Sequence, residues 1–206
     1  MLPGLRTTDT QYRFLPPSDQ PLTGHGQCRV ILGDFCEELA VKILSSRKYH
    51  AFRFRTDSRA TYCPDIGIKR RLPGCEYGLI KHFLEVKSVG LTNATFIYEG
   101  RLKKDANFAQ SHSLSYLLFH HTASVNLCRS ADELRALFLS KLQAIYLLPL
   151  SSILDAAATV PITDLNSKYG HSHTNPTYGQ GRRLPLLLLL AYEHVKIEVR
   201  QAWELF

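Results

Sequence analysis

The sequence predicts a mixed α/β domain with a central sheet flanked by helices. Three observations carry that expectation. Across residues 33–44, Cys36, Leu39, Ala40, Ile43 and Leu44 recur at three- and four-residue spacing and share one helical face. Residues 49–55 read as a strand. In the stretches 63–68 and 82–89, apolar and polar side chains alternate with the period of two that a strand requires. The chain has 206 residues, 45% of them hydrophobic, which is enough for one well-packed domain.

The first 27 residues contain Pro3, Pro16, Pro17, Pro21, Gly24 and Gly26 and little periodicity, so they are expected to form an extended arm. Residues 28–206 are expected to form a single domain. In the 33–44 helix, at about 100° per residue, Glu37 borders the apolar stripe. Glu38 points away and can pair with Lys42 one turn on. Glu37 is therefore the candidate for a buried or catalytic role, with Glu38 as the alternative.

Pro64 suits the first position of the 63–68 strand or a sheet edge. Pro73-Gly74 is a turn signal that leads back toward the 82–89 strand, so the two strands are expected to form a hairpin or near-hairpin. Side chains two apart on a strand share a face, so Glu85 and Lys87 project together while Leu84, Val86 and Ser88 take the other face. A charged face on a core strand is expected to open on a cleft. The hairpin brings Asp65 toward Glu85. Two such carboxylates repel unless a cation sits between them. Oxygen-only ligands suit a hard divalent ion, Mg²⁺, with Mn²⁺ as a substitute.

Further along, residues 116–120 read as a strand. Ser130-Ala131-Asp132-Glu133 is a capping box opening a helix to about Ala144. Residues 145–150 read as a buried strand ended by Pro149. The apolar run 186–191 is a buried strand or short helix after Pro185, far too short to span a bilayer, so no membrane partner is expected. The polar stretch 164–183 is expected to be a long loop, of the kind that is often functional or mobile.

The net charge of +7 is compatible with a polyanionic partner. Basic residues cluster at Lys69, Arg70 and Arg71, at Lys81, at Arg101, Lys103 and Lys104, and at Arg182 and Arg183 in a glycine-flanked loop. Backbone phosphates are the partners these would meet, with Lys69, Arg70, Arg71, Lys103, Lys104, Arg182 and Arg183 as the candidate contacts. No zinc finger, basic zipper or RNA-recognition signature is visible. The five cysteines form no CxxC pair and are odd in number, which points to reduced thiols in a cytosol-like compartment. The histidines lack the ligand spacing of a zinc site. Residues 1–4 carry no sign of a secretory signal, so a cytoplasmic location is expected.

Pro64-Asp65 followed by Glu85-Val86-Lys87 resembles the PD-(D/E)XK nuclease superfamily, to which many restriction endonucleases, Holliday-junction resolvases and recombination nucleases belong. Gly33 followed four residues later by Glu37 is similar to the family's glutamate-bearing helix. The resemblance covers roughly residues 30–120. It implies a restriction endonuclease-like fold, a metal held by Asp65 and Glu85, and a Lys87 that orients or helps deprotonate the attacking water, with Glu37 serving the same site. The implied activity is Mg²⁺-dependent DNA endonuclease action of a restriction, recombination, repair or mobile-element kind, by a homodimer, since two strands need two sites. The alternative is a DNA-binding module on the same fold that does not cleave; an intact Asp65, Glu85 and Lys87 favours the enzyme.

Overall fold

Helix α1 (His25–Leu44) turns Cys28, Ile31, Leu32, Phe35, Cys36, Leu39 and Ala40 into the core, so the helix starts about two turns before the expected one. Residues 25–27, expected in the arm, are its first turn. The structure is a computed structural model that describes residues 25–45, 49–54, 63–70, 80–124, 128–164 and 180–198. The rest of the expected arm lies outside the described residues.

Strands β1 (Tyr49–Arg53), β2 (Ile66–Arg70) and β3 (Ile80–Val89) pair antiparallel in sequence order, with Arg53 opposite Ile66 and Ile66 opposite Leu84. The expected order of helix and three strands is therefore present, and β2, which Asp65 immediately precedes, is the neighbour of β3, which carries Glu85. Their connection, residues 71–79, lies outside the described residues, and Arg71 with it. At Gly67 an added Cβ would lie 2.7 Å from the ring tips of both Phe52 and Phe54, so the β1–β2 pair needs a residue without a side chain there.

After β4 (Ala94–Tyr98), helix α2 (Glu99–Ala109) carries the chain across to β5 (Leu114–His121), which lies parallel to β3. A parallel partner requires such a crossover. Helix α3 (Ala131–Ser140), β6 (Leu142–Pro149), α4 (Leu150–Ala158), β7 (Thr163–Asp164), β8 (Gln180–Pro185), α5 (Leu186–Leu189) and β9 (Val195–Ile197) follow. The main sheet has the order β1-β2-β3-β5-β6-β9 and is antiparallel except between β3 and β5; β4, β8 and β7 make a small antiparallel sheet. The architecture is a mixed sheet flanked by helices.

The pleat divides the core in two. Leu84, Val86, Leu117 and Phe119 pack with α1 and α3 on one face. Phe83, Val89, Tyr116 and Leu118 pack with α2, α4, α5 and the small sheet on the other. Glu85 and Lys87 project into this second layer, because they alternate with Leu84 and Val86.

Several expectations are corrected. The capping box is real at its Ser130 end, whose hydroxyl accepts from the Glu133 N–H at 3.1 Å, while the Glu133 carboxylate accepts from Arg129 N–H at 2.7 Å rather than from Ser130. The helix stops at Ser140 instead of near Ala144, because Leu142, Ala144 and Ile145 are drawn into β6. Residues 180–183 are not loop but part of β8: Gln180 pairs with Asp164 of β7, and Gly181, Arg182 and Arg183 pair with β4, with Arg182 opposite Ile97 and Arg183 opposite Phe96. Residues 165–179 of the expected loop lie outside the described residues. The run after Pro185 is a short helix that buries Leu186 and Leu189 and leaves Leu187 at the surface. Among the described residues, no helix is long and apolar enough to cross a membrane. Cys28, Cys36, Cys63 and Cys128 are free thiols.

Candidate active site

Asp65 stands one residue before β2, not within it, and its backbone is held from both sides. Its carbonyl accepts from Phe54 N–H at 2.9 Å and its N–H donates to the Leu84 carbonyl at 3.1 Å. Its Oδ2 accepts from Val86 N–H at 2.8 Å. The carboxylate thus does the work of a strand carbonyl at the end of the ladder and is pinned beside Glu85 and Lys87.

Glu85 lies on a strand paired on both sides, and its side chain is 2% exposed. Among the described residues, Glu85 does not lie on an open face: Arg101, from α2, lies across its carboxylate. Oε1 accepts from Lys87 Nζ at 2.5 Å, and Oε2 accepts from the Arg101 guanidinium. The Lys87 and Arg101 side chains reach solvent, 28% and 27% exposed, and Asp65 is half-buried beside them. Behind Arg101, its Nε lies 3.1 Å from Asp105 Oδ1, and fully buried Asp105 accepts from the Tyr116 hydroxyl. Tyr116 sits opposite Glu85 on β5. Arg101 also donates to the Cys63 carbonyl at 3.3 Å.

Burial pushes the Glu85 carboxyl up to about 8 in spite of Lys87 and Arg101, with Asp65 adding to the push. Burial works against the Lys87 ammonium, but Glu85 and Asp65 beside it hold its pKa above the ordinary lysine value. Burial and Asp105 drive the Tyr116 phenol well above its usual range. Burial, then Asp65, pushes the Cys63 thiol up to about 12, so this cysteine is not a thiolate nucleophile at neutral pH.

Glu37 reaches the same region from α1. Arg53 Nε donates to its Oε2 at 2.7 Å, and the same guanidinium donates to Asp34 Oδ1 at 2.5 Å. Burial pushes the Glu37 carboxyl up to about 7, and Asp65 is the next largest cause. Asp65 is therefore the common neighbour of Glu37 and Glu85. Glu38 pairs with Lys42 at 3.6 Å, one helical turn on. At Gly33 an added Cβ would meet open space, so packing does not demand the glycine of the resembled helix signature.

Among the described residues linked in this way, five carboxyl groups (Asp34, Glu37, Asp65, Glu85 and Asp105) face three cations (Arg53, Lys87 and Arg101), and the raised pKa values of Glu37 and Glu85 mean that protons offset part of the negative charge near neutral pH. Asp65 and Glu85 carry oxygen donors of the hard kind that Mg²⁺ or Mn²⁺ takes. A group of three or more His, Cys, Asp or Glu side chains that could hold a metal ion is absent among the described residues.

The candidate phosphate contacts are scattered. Lys103 and Lys104 are exposed on α2, the helix that carries Arg101. Arg70 ends β2, about 17 Å from Asp65 at strand rise, and Lys69 Nζ lies 4.8 Å from the centre of the Phe52 ring. Arg183 is exposed on β8. Arg182 faces inward: it pairs with Glu99 at 2.5 Å and donates to the carbonyls of Ala157, at 2.6 Å, and Val160. That arrangement ties the end of α4 to α2 and β8.

The Arg101–Asp105–Tyr116 chain and the Arg53–Asp34 pair were not foreseen as a network. Arg101 and Asp105 are four apart, a spacing that signals a helical pair once the helix is recognised. Tyr116, inside an apolar strand, carries no such signal. Comparison of the chain with protein-family models, with curated proteins and with solved structures found no match in any of the three.

Proposed function

We propose that this protein is a divalent-metal-dependent deoxyribonuclease that hydrolyses phosphodiester bonds at Asp65, Glu85 and Lys87. The observation that carries the reading is the hydrogen bond from Val86 N–H to Asp65 Oδ2, which joins the Pro-Asp turn to the Glu-Val-Lys strand. Asp65 and Glu85 would hold the cation. When bound, it supplies Lewis-acid charge that activates a water and offsets charge developing on the phosphate. Val86 N–H fixes the Asp65 carboxylate. Lys87 Nζ, already beside Glu85 Oε1, is the donor that orients a water or a phosphate oxygen at the same edge. Glu37 stands behind Asp65 and sustains the negative potential there. Exposed Lys103 and Lys104 supply phosphate contacts, and a homodimer would present one such site to each DNA strand.

A second reading is a DNA-binding module on this architecture without cleavage. The observation in its favour is that Lys87 and Arg101 engage both oxygens of Glu85. Incubating the protein with supercoiled plasmid in Mg²⁺ or Mn²⁺, with and without excess chelator, separates the two. The nuclease reading expects nicked or linear product that vanishes with chelator and with Glu85→Gln. Binding of DNA without any cleavage under either metal supports the second reading and overturns the first.

A further inference from the structure

We propose, resting on the metal site of the reading above, that Arg101 is a built-in counter-cation: it fills Glu85 Oε2 in the metal-free protein, yields that oxygen to a divalent cation, and turns its guanidinium to a substrate phosphate. Two cations occupy the two oxygens of Glu85, so a metal that reaches this carboxylate must displace one of them. They differ in what holds them. Lys87 is bonded to Glu85 from the same strand. Arg101 has a second anchor, because its Nε lies 3.1 Å from Asp105 Oδ1, and Asp105 is fixed by the Tyr116 hydroxyl. After displacement, Arg101 keeps a carboxylate partner and stays charged and placed.

Its other contacts point the same way. The guanidinium edge that meets Glu85 also meets the Cys63 carbonyl at 3.3 Å, one residue before the Pro-Asp pair. Arg101 therefore spans both halves of the candidate site from a third element, α2. The side chain is 27% exposed, so a ligand can reach the guanidinium without opening the core. A guanidinium with one anchored edge presents parallel donors that match two phosphate oxygens. Asp105 and Tyr116 are then positioning residues that act through Arg101.

The test is Mn²⁺ binding by calorimetry to wild type and to Arg101→Gln, with circular dichroism to establish folding and plasmid cleavage run alongside. Removing the competing cation should tighten Mn²⁺ binding on the order of 10-fold. Cleavage should slow by about 100-fold, the scale expected for one lost charge-stabilising donor. A merely structural arginine would not produce tighter metal with slower chemistry. Unchanged or weaker Mn²⁺ affinity in folded Arg101→Gln, or no Mn²⁺ binding by either protein, overturns the proposal. Should the variant not fold, side-chain NMR of isotope-labelled arginine in the wild type decides: Mg²⁺ should shift the Arg101 Nε–H signal, and an unmoved signal overturns the proposal. If Mn²⁺ binds more tightly to the variant but the wild type cleaves no DNA, the nuclease reading fails and the competition at Glu85 stands. If the wild type cleaves and the variant's metal affinity is unchanged, the reverse holds.

Discussion

Asp65 Oδ2 accepts the N–H of Val86 at 2.8 Å, and Val86 is the residue between Glu85 and Lys87. One carboxylate is thus both a ladder acceptor and a candidate metal ligand, and the two roles separate by substitution. Asp65→Asn keeps a carbonyl oxygen for Val86 N–H and removes the charge. Asp65→Ala leaves that N–H without its partner, at a cost of about 1–3 kcal/mol. Urea denaturation should place Asp65→Ala below Asp65→Asn in stability, while both lose metal-dependent cleavage. Equal stabilities would show that the bond contributes nothing.

Glu85 has its folded pKa raised from 4.5 to about 8, chiefly by burial. The favourable contribution of its protonated form is complete below pH 4.5, and it is lost as pH rises toward 8. In chelator, wild-type stability should therefore fall across this window, and Glu85→Gln should flatten the fall. Metal competes with the proton for the same oxygens, so Mn²⁺ affinity should climb over the same range. Urea midpoints and calorimetry at several pH values check both. A pH-independent wild type would mean that the carboxyl is ionised throughout.

Glu37→Gln should reduce cleavage by about 10-fold or more and Glu38→Gln hardly at all, because Glu37 feels the charge of Asp65 while Glu38 faces Lys42. Steady-state rates for the two variants, with wild-type unfolding midpoints as control, decide. The reverse order would move the site away from Arg53 and Asp65.

Gly67→Ala should destabilise by about 1–3 kcal/mol, since its Cβ meets two phenylalanine rings at 2.7 Å. Thermal unfolding measures this. A neutral substitution would mean that the rings of Phe52 and Phe54 swing aside freely.

Arg182→Ala should lower stability and leave DNA affinity nearly unchanged, whereas Lys103→Ala and Lys104→Ala should each weaken binding to all sequences and flatten the log–log salt dependence by about one unit. Arg182 is committed to Glu99 and two carbonyls, and the lysines face outward. Titrations at several salt concentrations separate these effects. A salt slope unchanged by either lysine would place the DNA path elsewhere.

Local pattern carried the strands and the first helix. Glu85 and Lys87 alternate with Leu84 and Val86, and that period of two alone placed them on one strand face. The stripe from Leu39 to Leu44 located α1, and Pro73-Gly74 anticipated the pairing of β2 with β3. The start of α1 was missed because Gly24 and Gly26 outweighed the apolar spacing that begins at Cys28. Tertiary contacts decided the rest. Glu85 is sealed rather than open because the α2 crossover, which a parallel β3–β5 pair demands, lays Arg101 across it. Arg182 turned inward because β4 took residues 181–185 as a strand partner. Periodicity states which side chains share a face. Which charges meet across elements depends on how those elements pack, and that is a long-range property which no window of residues contains.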